Sequence, residues 1–294
     1  MQVNEARAEA ESNKGESRVM RLKGRVGLVT GGNAGIGKGI AMAFAQEGAK
    51  VAICGRNEET IRSTVAELEA LGAEALGVKG DVSSSKDVKH VFSEILKRFG
   101  TLDVLVNNAG IFRSHEAGVR DRMKHLDLVT TPIPKHSLGI TRCMSDEEWE
   151  TMIQTDLNSV FYCTREALNI MEDKHYGRIV NIASISGVSG ISSHSPNYSA
   201  AKGGMVAFTR SVAHEVAGSG VCVNCVAPGY IGTPPFKKGI EKMGPEKAAR
   251  LMQLVPVGRL GTVEEIAAMV VYLSSEEASY TVGAIINVNG GLVI

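Results

Sequence analysis

The chain has 294 residues, 44% of them hydrophobic and 22% charged, with 32 lysines and arginines against 32 aspartates and glutamates. The apolar share excludes disorder throughout, and the cancelled charge excludes the broad attraction that draws a protein onto nucleic acid or an anionic membrane. A small-molecule partner is the expectation, with no nucleic acid and no membrane.

Residues 1–20 are polar and mixed in charge, lack the apolar core of a secretory signal and read as a flexible tail. No run approaches the ~20 apolar residues of a membrane helix. Five cysteines, an odd number scattered through the chain, suit reduced thiols, so a cytoplasmic location is expected. With no second composition regime and no internal repeat, residues 21–294 read as one domain.

Its first strand, Arg25–Thr30, runs into T-G-G-N-A-G-I-G and then an apolar helical stretch. In this turn Gly31 permits a sharp exit from the strand, Gly35 lets backbone approach a pyrophosphate, and Gly37 lets helix pack on strand. The helix start supplies free N–H donors. Asn33 and Ile36 lie in the same turn and are expected to touch a dinucleotide. No Gly-Lys-Ser or Gly-Lys-Thr closes the motif, so it is not a triphosphatase loop.

The second strand, Lys50–Cys54, ends at Gly55 and Arg56, where an enzyme restricted to NAD typically carries an acidic residue. A guanidinium there grips a 2′-phosphate, favouring NADP(H) over NAD(H), with NAD(H) the alternative. The competing reading makes Arg56 a surface residue capping the next helix.

A helix over Glu58–Leu71, a strand over Glu74–Lys79, a helix over Ser85–Phe99 and a strand over Val104–Asn107 follow, by the period of their apolar residues. Residues 111–144 then break the rhythm, mixing charges, histidines and prolines without a clear period. So long a connection past a strand's carboxyl end reads as a substrate lid, against a solvated insertion or an oligomer contact.

Beyond it lie a long helix over Asp146–Lys174, a strand over Gly177–Ile182, a helix over Pro196–Val216, and strands over Val221–Ala227 and Ala284–Val288. Residues 234–254 are expected to flap over substrate. Cys222 and Cys225 form a C-x-x-C pair, but on a strand residues three apart face opposite ways, so core packing is the reading and no metal site is expected. The alternation makes an α/β protein with a single Rossmann fold: a doubly wound, seven-stranded parallel sheet with helices on both faces.

Further motifs are N-N-A-G at Asn107–Gly110, G-D-V at Gly80–Val82, Y-S-A-A-K at Tyr198–Lys202, P-G at Pro228–Gly229 and a closing N-G-G. In this order, with the glycine-rich turn, they resemble the short-chain dehydrogenase/reductase family, and the match covers most of the chain. The general pattern is similar to that of the 3-oxoacyl thioester reductases.

The resemblance implies dinucleotide contacts from Asp81, Val82, Asn108, Ala109, Gly110, Pro228, Gly229, Ile231 and Thr233, and from Tyr198 and Lys202. It selects Ser184 over Ser186 as the group that orients the substrate oxygen, although the Ser184–Tyr198 interval is about one residue longer than usual. Tyr198 and Lys202 stand four apart on a helix and share a face. A phenol ionises near ~10, and an ammonium beside it favours phenolate, so Tyr198 is expected to become a usable acid and base with a lowered value.

One position departs from the pattern. Asp156, in D-L-N-S-V-F, aligns with the family's fourth catalytic residue, an asparagine. Asn158 cannot replace it simply, since two helical positions rotate a side chain by roughly 200°. Either Asp156 fills the role or the helix register shifts.

The resemblance therefore implies an NADP(H)-dependent reduction of a ketone to a secondary alcohol, or the reverse oxidation. The alternative from another class is a nucleotide-binding protein without turnover, which only Asp156 favours. It also implies a homotetramer, or a dimer, through the two long helices.

Overall fold

A computed structural model describes residues 19–111 and 116–294, so the expected tail lies outside the described residues but for its last two. The extended runs form β1 (Val26–Thr30), β2 (Lys50–Gly55), β3 (Ala75–Lys79), β4 (Val104–Asn107), β5 (Gly177–Ile182), β6 (Val221–Pro228) and β7 (Ile285–Val288). They pair in parallel in the order β3-β2-β1-β4-β5-β6-β7, the doubly wound sheet that the alternation predicts.

Between strands run α1 (Gly35–Gln46), α2 (Glu58–Ala70), α3 (Ser85–Phe99), α4 (Glu116–Thr130), α5 (Ile140–Cys143), α6 (Asp146–Ile153), α7 (Ser159–Met171), α8 (Ile185–Val188), α9 (Pro196–Val216), α10 (Pro234–Glu241), α11 (Pro245–Gln253) and α12 (Val263–Ser274). Successive strand side chains point to opposite faces, and both faces are covered. Leu28 packs with Val88, Phe92 and Ile95 of α3 and Ala213 of α9. Its neighbour Val29 packs with Ile40 and Phe44 of α1 and Ile266 and Val270 of α12. Every side chain of β1 and β4 is buried, which is why these strands read as unbroken apolar runs. Phe44 is wholly buried, and Phe44→Ala would cost about 3–5 kcal/mol.

Cys222 and Cys225 are buried, free thiols within β6. Burial pushes Cys225 up to about 11, so at neutral pH it stays a protonated core side chain.

Two segments differ from the sequence expectation. The single helix over Asp146–Lys174 is α6 and α7 joined by a π-turn at Gln154–Asn158, whose extra residue re-aims the side chains on either side. Within 111–144, where no period was legible, α4 forms. Its apolar Met123 and Leu126 pack against Met243 and against Leu251 and Met252 of α11. Charges on the remaining faces hide that stripe. Asp127 holds Lys247 at 2.6 Å and Arg250 at 2.9 Å, tying the inserted helix to the 234–254 segment, itself the two helices α10 and α11.

Candidate active site

The chain leaves β1 and β4, adjacent strands, in opposite directions around the sheet, which opens a crevice beyond their carboxyl ends. N-N-A-G is fastened across it. The Asn108 and Ala109 N–H groups each donate to Thr30 Oγ1 at 3.0 Å, and Asn108 Nδ2 donates to the Thr30 carbonyl at 2.9 Å. Asn107 points into the sheet instead, donating to Asn181 Oδ1 at 2.8 Å and to Thr164 Oγ1 at 3.2 Å, a buried network that holds β4 to β5 and α7.

The glycine-rich turn fits tightly under Asn108. A Cβ on Gly37 would stand 2.3 Å from Asn108 Nδ2, so no larger residue packs there. Gly31 and Gly35 take φ of 63° and 52°, the left-handed region that favours glycine. At the start of α1 no side chain caps the leading N–H groups and no acidic residue occupies the first turn, leaving a positive helix end that suits a phosphate.

Asn33 turns aside from the crevice and donates to Thr60 Oγ1 at 2.7 Å. Arg56 is exposed at the end of β2, and among the described residues it has no ion-pair partner. The cap of α2 is Asn57, whose Oδ1 accepts from the Thr60 N–H at 3.0 Å, so Arg56 does not serve as the cap. Asp81 Oδ1 accepts from the Ser83 N–H and hydroxyl, at 2.9 and 2.7 Å, shaping the turn after β3, with Val82 buried beside it.

On the other side of the crevice, Ser184 ends the β5 exit and caps the short α8, its Oγ accepting from the Ser186 N–H at 3.1 Å. The loop between α8 and α9 curls back, bringing Ser192 Oγ to 2.6 Å from Ser186 Oγ. Gly187 allows α8 to sit directly on α9: a Cβ there would come 2.5 Å from the Lys202 carbonyl carbon. That contact sets Ser184 opposite Tyr198, and the two hydroxyls hydrogen-bond.

Lys202 Nζ lies 5.7 Å from the centre of the Tyr198 ring, donates to the Ile182 carbonyl at 3.1 Å and pairs with Asp156 Oδ2 at 3.2 Å. The π-turn aims Asp156 inward, where its Oδ1 accepts from the Ile111 N–H at 2.8 Å. Asn158 is directed elsewhere, donating to Gln154 Oε1 at 2.6 Å.

The electrostatics correct one expectation. Tyr198 is raised above the ordinary phenol value rather than lowered: burial is the largest cause, Lys202 pulls down, and Asp156 pushes back up. For Lys202, burial pulls down, but Asp156 and Tyr198 outweigh it and hold the ammonium above its usual range. The pairing rule for Tyr198 and Lys202 is sound, but it omits the carboxylate that answers the ammonium.

Ser184, Tyr198, Lys202 and Asp156 line one cavity of about 400 Å³. Ile36, Asn108 and Gly110 bound it on the side of the glycine-rich turn, and Pro228, Gly229, Ile231 and Thr233 on the β6 side. Gly31, Asn33, Gly35, Gly37, Arg56, Asp81, Val82 and Ala109 lie outside its wall, toward β1, β2 and β3. Sequence reasoning missed Arg122, His194, Tyr230 and Phe236, which also line the wall. Their position beside recognised motifs, within 111–144 or, for Phe236, within the expected 234–254 flap was the only hint of them.

Residues 25–244 match the model of the family described as short chain dehydrogenase. The 3-oxoacyl-(acyl-carrier-protein) reductase of Thermotoga maritima is 36% identical over 275 residues, covering 94% of this chain and 100% of its own. The acetoacetyl-CoA reductase of Cupriavidus necator is 36% identical over 269 residues, 91% and 98% of the two chains. Among solved structures, a variant of actinorhodin polyketide ketoreductase with NADPH superposes with a TM-score of 0.78 at 36% identity, covering 92% of this chain and 97% of that one.

Proposed function

The chain is an oxidoreductase that belongs to the short-chain dehydrogenase family, and on that premise we propose that it uses NADP(H), in preference to NAD(H), to interconvert a ketone and a secondary alcohol. The observation that carries this reading is the convergence of Ser184, Tyr198 and Lys202 on a cavity whose opposite wall is the glycine-rich turn and Asn108.

The residues present fit a dinucleotide. Gly31, Gly35 and Gly37 form a cradle that a Cβ at Gly37 would fill, at the uncapped start of α1, and Arg56 offers an exposed guanidinium at the end of β2. Asn33, Asp81, Val82, Ala109 and Gly110 flank the path between, while Ile231 and Thr233 edge its inner end. The dinucleotide, when bound, supplies the hydride.

Tyr198 gives its proton to the substrate oxygen as negative charge gathers there. Ser184, hydrogen-bonded to Tyr198, donates to the same oxygen and fixes its position. Lys202 stabilises the resulting phenolate and is placed to hold a ribose hydroxyl. Asp156 positions Lys202. A phenol held above its usual value keeps its proton at neutral pH, the state that ketone reduction requires.

Small-molecule use accords with the cavity, and among the described residues no helix is long and apolar enough to cross a membrane. Assembly as a homotetramer or dimer through α6, α7 and α9 belongs to the same reading, supported by the exposed Trp149 and Phe161 on the first two. The experiment is a direct one: loss of NADPH absorbance with a ketone panel, against NADP reduction with the matching alcohols. Turnover of ketones with NADPH is expected; no turnover in either direction would remove the reading.

A further inference from the structure

Three serines of the cavity wall form a row. Ser184 Oγ, hydrogen-bonded to Tyr198, lies 3.2 Å from Ser186 Oγ, which lies 2.6 Å from Ser192 Oγ. All three line the cavity with Tyr198, and Ser186 and Ser192 are buried like Ser184. The exposed Ser193 follows, so the Ser192 end of the row is the one beside water. A hydroxyl donates one hydrogen bond and accepts two, so such a row can hand a proton along while every oxygen keeps one.

On the other side of Tyr198 the polar groups end in backbone. Lys202 Nζ donates to the Ile182 carbonyl and faces Asp156, whose Oδ1 accepts from the Ile111 N–H. A peptide carbonyl and a peptide N–H are fixed hydrogen-bonding groups, not proton carriers, and Asp156 is wholly buried.

The links of the row are unequal. At 2.6 Å the Ser186–Ser192 bond is tight, and either oxygen can be its donor. The Ser184–Ser186 link is the looser, and Ser184 Oγ also accepts from the Ser186 N–H at 3.1 Å. Ser184 can therefore turn its own proton to a substrate oxygen or to Tyr198 and stay anchored, while the Ser186 hydroxyl changes from acceptor to donor.

We infer that Ser186 and Ser192 carry the proton that recharges Tyr198 after each reduction. Once the phenol has protonated the substrate oxygen, Ser184 gives its proton to the phenolate and takes one from Ser186. Ser186 takes one from Ser192, which takes one from water, leaving hydroxide, or from a buffer acid, leaving its base. One proton enters at Ser192, one O–H bond forms on Tyr198, and each serine keeps one; alcohol oxidation runs the row backwards. The inference rests on the ketone-reducing activity proposed above.

Ser192→Ala breaks the row at its outer end, and Ser186→Ala in its middle while keeping the N–H that anchors Ser184. Tyr198 begins protonated, so with NADPH and saturating ketone the first turnover should be as fast as in the wild type. Later turnovers should slow by about 10²-fold, the lower end of what a positioned proton donor contributes, with a larger solvent deuterium effect than the wild type shows. Ser192→Thr keeps a hydroxyl and should restore most of the rate. Ser189 is the control: its hydroxyl donates to the Ile185 carbonyl at 2.8 Å in the same loop but lies outside the row, so Ser189→Ala should keep both phases.

Exchange of the Tyr198 hydroxyl with deuterated water reads the row without turnover. It is followed by NMR on tyrosine-labelled, NADP-saturated protein and assigned with Tyr198→Phe, and it should be slower in Ser186→Ala and Ser192→Ala. Slower exchange in a protein that reduces no ketone would keep the proton path and remove only the activity reading. Exchange as fast as in the wild type, or a first turnover slowed as much as later ones, would overturn the path and leave the ketone reductase intact.

Discussion

The Asp156 carboxylate stands 3.2 Å from the Lys202 ammonium, and both side chains are almost wholly buried. Asp156 therefore answers part of the ammonium charge that acts on Tyr198 before any ligand arrives. Asp156→Asn keeps the shape and removes the answer. Since Asp156 pushes the Tyr198 phenol upward and Lys202 pulls it down, the variant phenol should ionise at lower pH. Ketone reduction needs the protonated phenol, so the alkaline limb of its kcat/KM profile should move to lower pH, as should the acid limb of alcohol oxidation. An unmoved profile would show that Asp156 does not tune the relay.

Removing either charge outright should cost more than activity. Lys202→Met leaves a buried carboxylate uncompensated, and Asp156→Leu a buried ammonium; each should lose about 3–5 kcal/mol in denaturant unfolding. The double variant Asp156→Leu/Lys202→Met should recover most of that loss and none of the turnover. Equal stability of all three would mean that the pair is more hydrated than its burial implies.

Tyr198→Phe should lower turnover by about 10²- to 10⁴-fold while dinucleotide binding, followed by fluorescence, is retained. The phenol is buried beside Ser184, not part of the turn under Asn108, so binding and chemistry should separate.

Arg56 is exposed and leaves the capping of α2 to Asn57. Arg56→Glu should raise KM for NADPH by about tenfold or more, the loss of a charge-assisted pair plus a new repulsion, and should lower that for NADH or leave it unchanged. Stability should hardly move, because the side chain is exposed and, among the described residues, holds no ion pair. An unaltered cofactor ratio would assign the preference to other residues.

The parts of this architecture legible in the sequence are those fixed by local rules. The strands of the doubly buried sheet read as apolar runs, and Gly31, Gly35 and Gly37 announce a turn whose steric demand at Gly37 the structure makes explicit. Tyr198 and Lys202 share a face by helical spacing alone. What escaped depends on contacts distant in sequence. The π-turn at Gln154–Asn158 is an extra residue within a helical pattern, invisible to a 3.6-residue period. The stripe of α4 is narrow because its partner is another small lid element, and its charges at Arg122 and Asp127 face the cavity and α11 rather than water. The direction of the Tyr198 shift needed burial, which no pairwise spacing conveys.

The same α4 offers a separation of local from global stability. Asp127 reaches Lys247 at 2.6 Å and Arg250 at 2.9 Å, and its carboxyl is held below the usual range, first by its hydrogen bond to Lys247. A carboxyl lowered on folding contributes above its unfolded value and loses that contribution as pH falls through the folded one, so this latch should be constant from pH 6 to 8, above the ordinary carboxyl value of about 4. The partners are partly exposed, so Asp127→Ala should change global stability by no more than about 0.2–1 kcal/mol. Opening of the α10–α11 segment draws on far fewer contacts than global unfolding does. Limited proteolysis should therefore cut the variant sooner within residues 234–254, and KM for the ketone should rise while kcat at saturation is kept. Unchanged proteolysis and KM would mean that the apolar contacts of Leu126 with Met243 and Leu251 hold the two elements together without the latch.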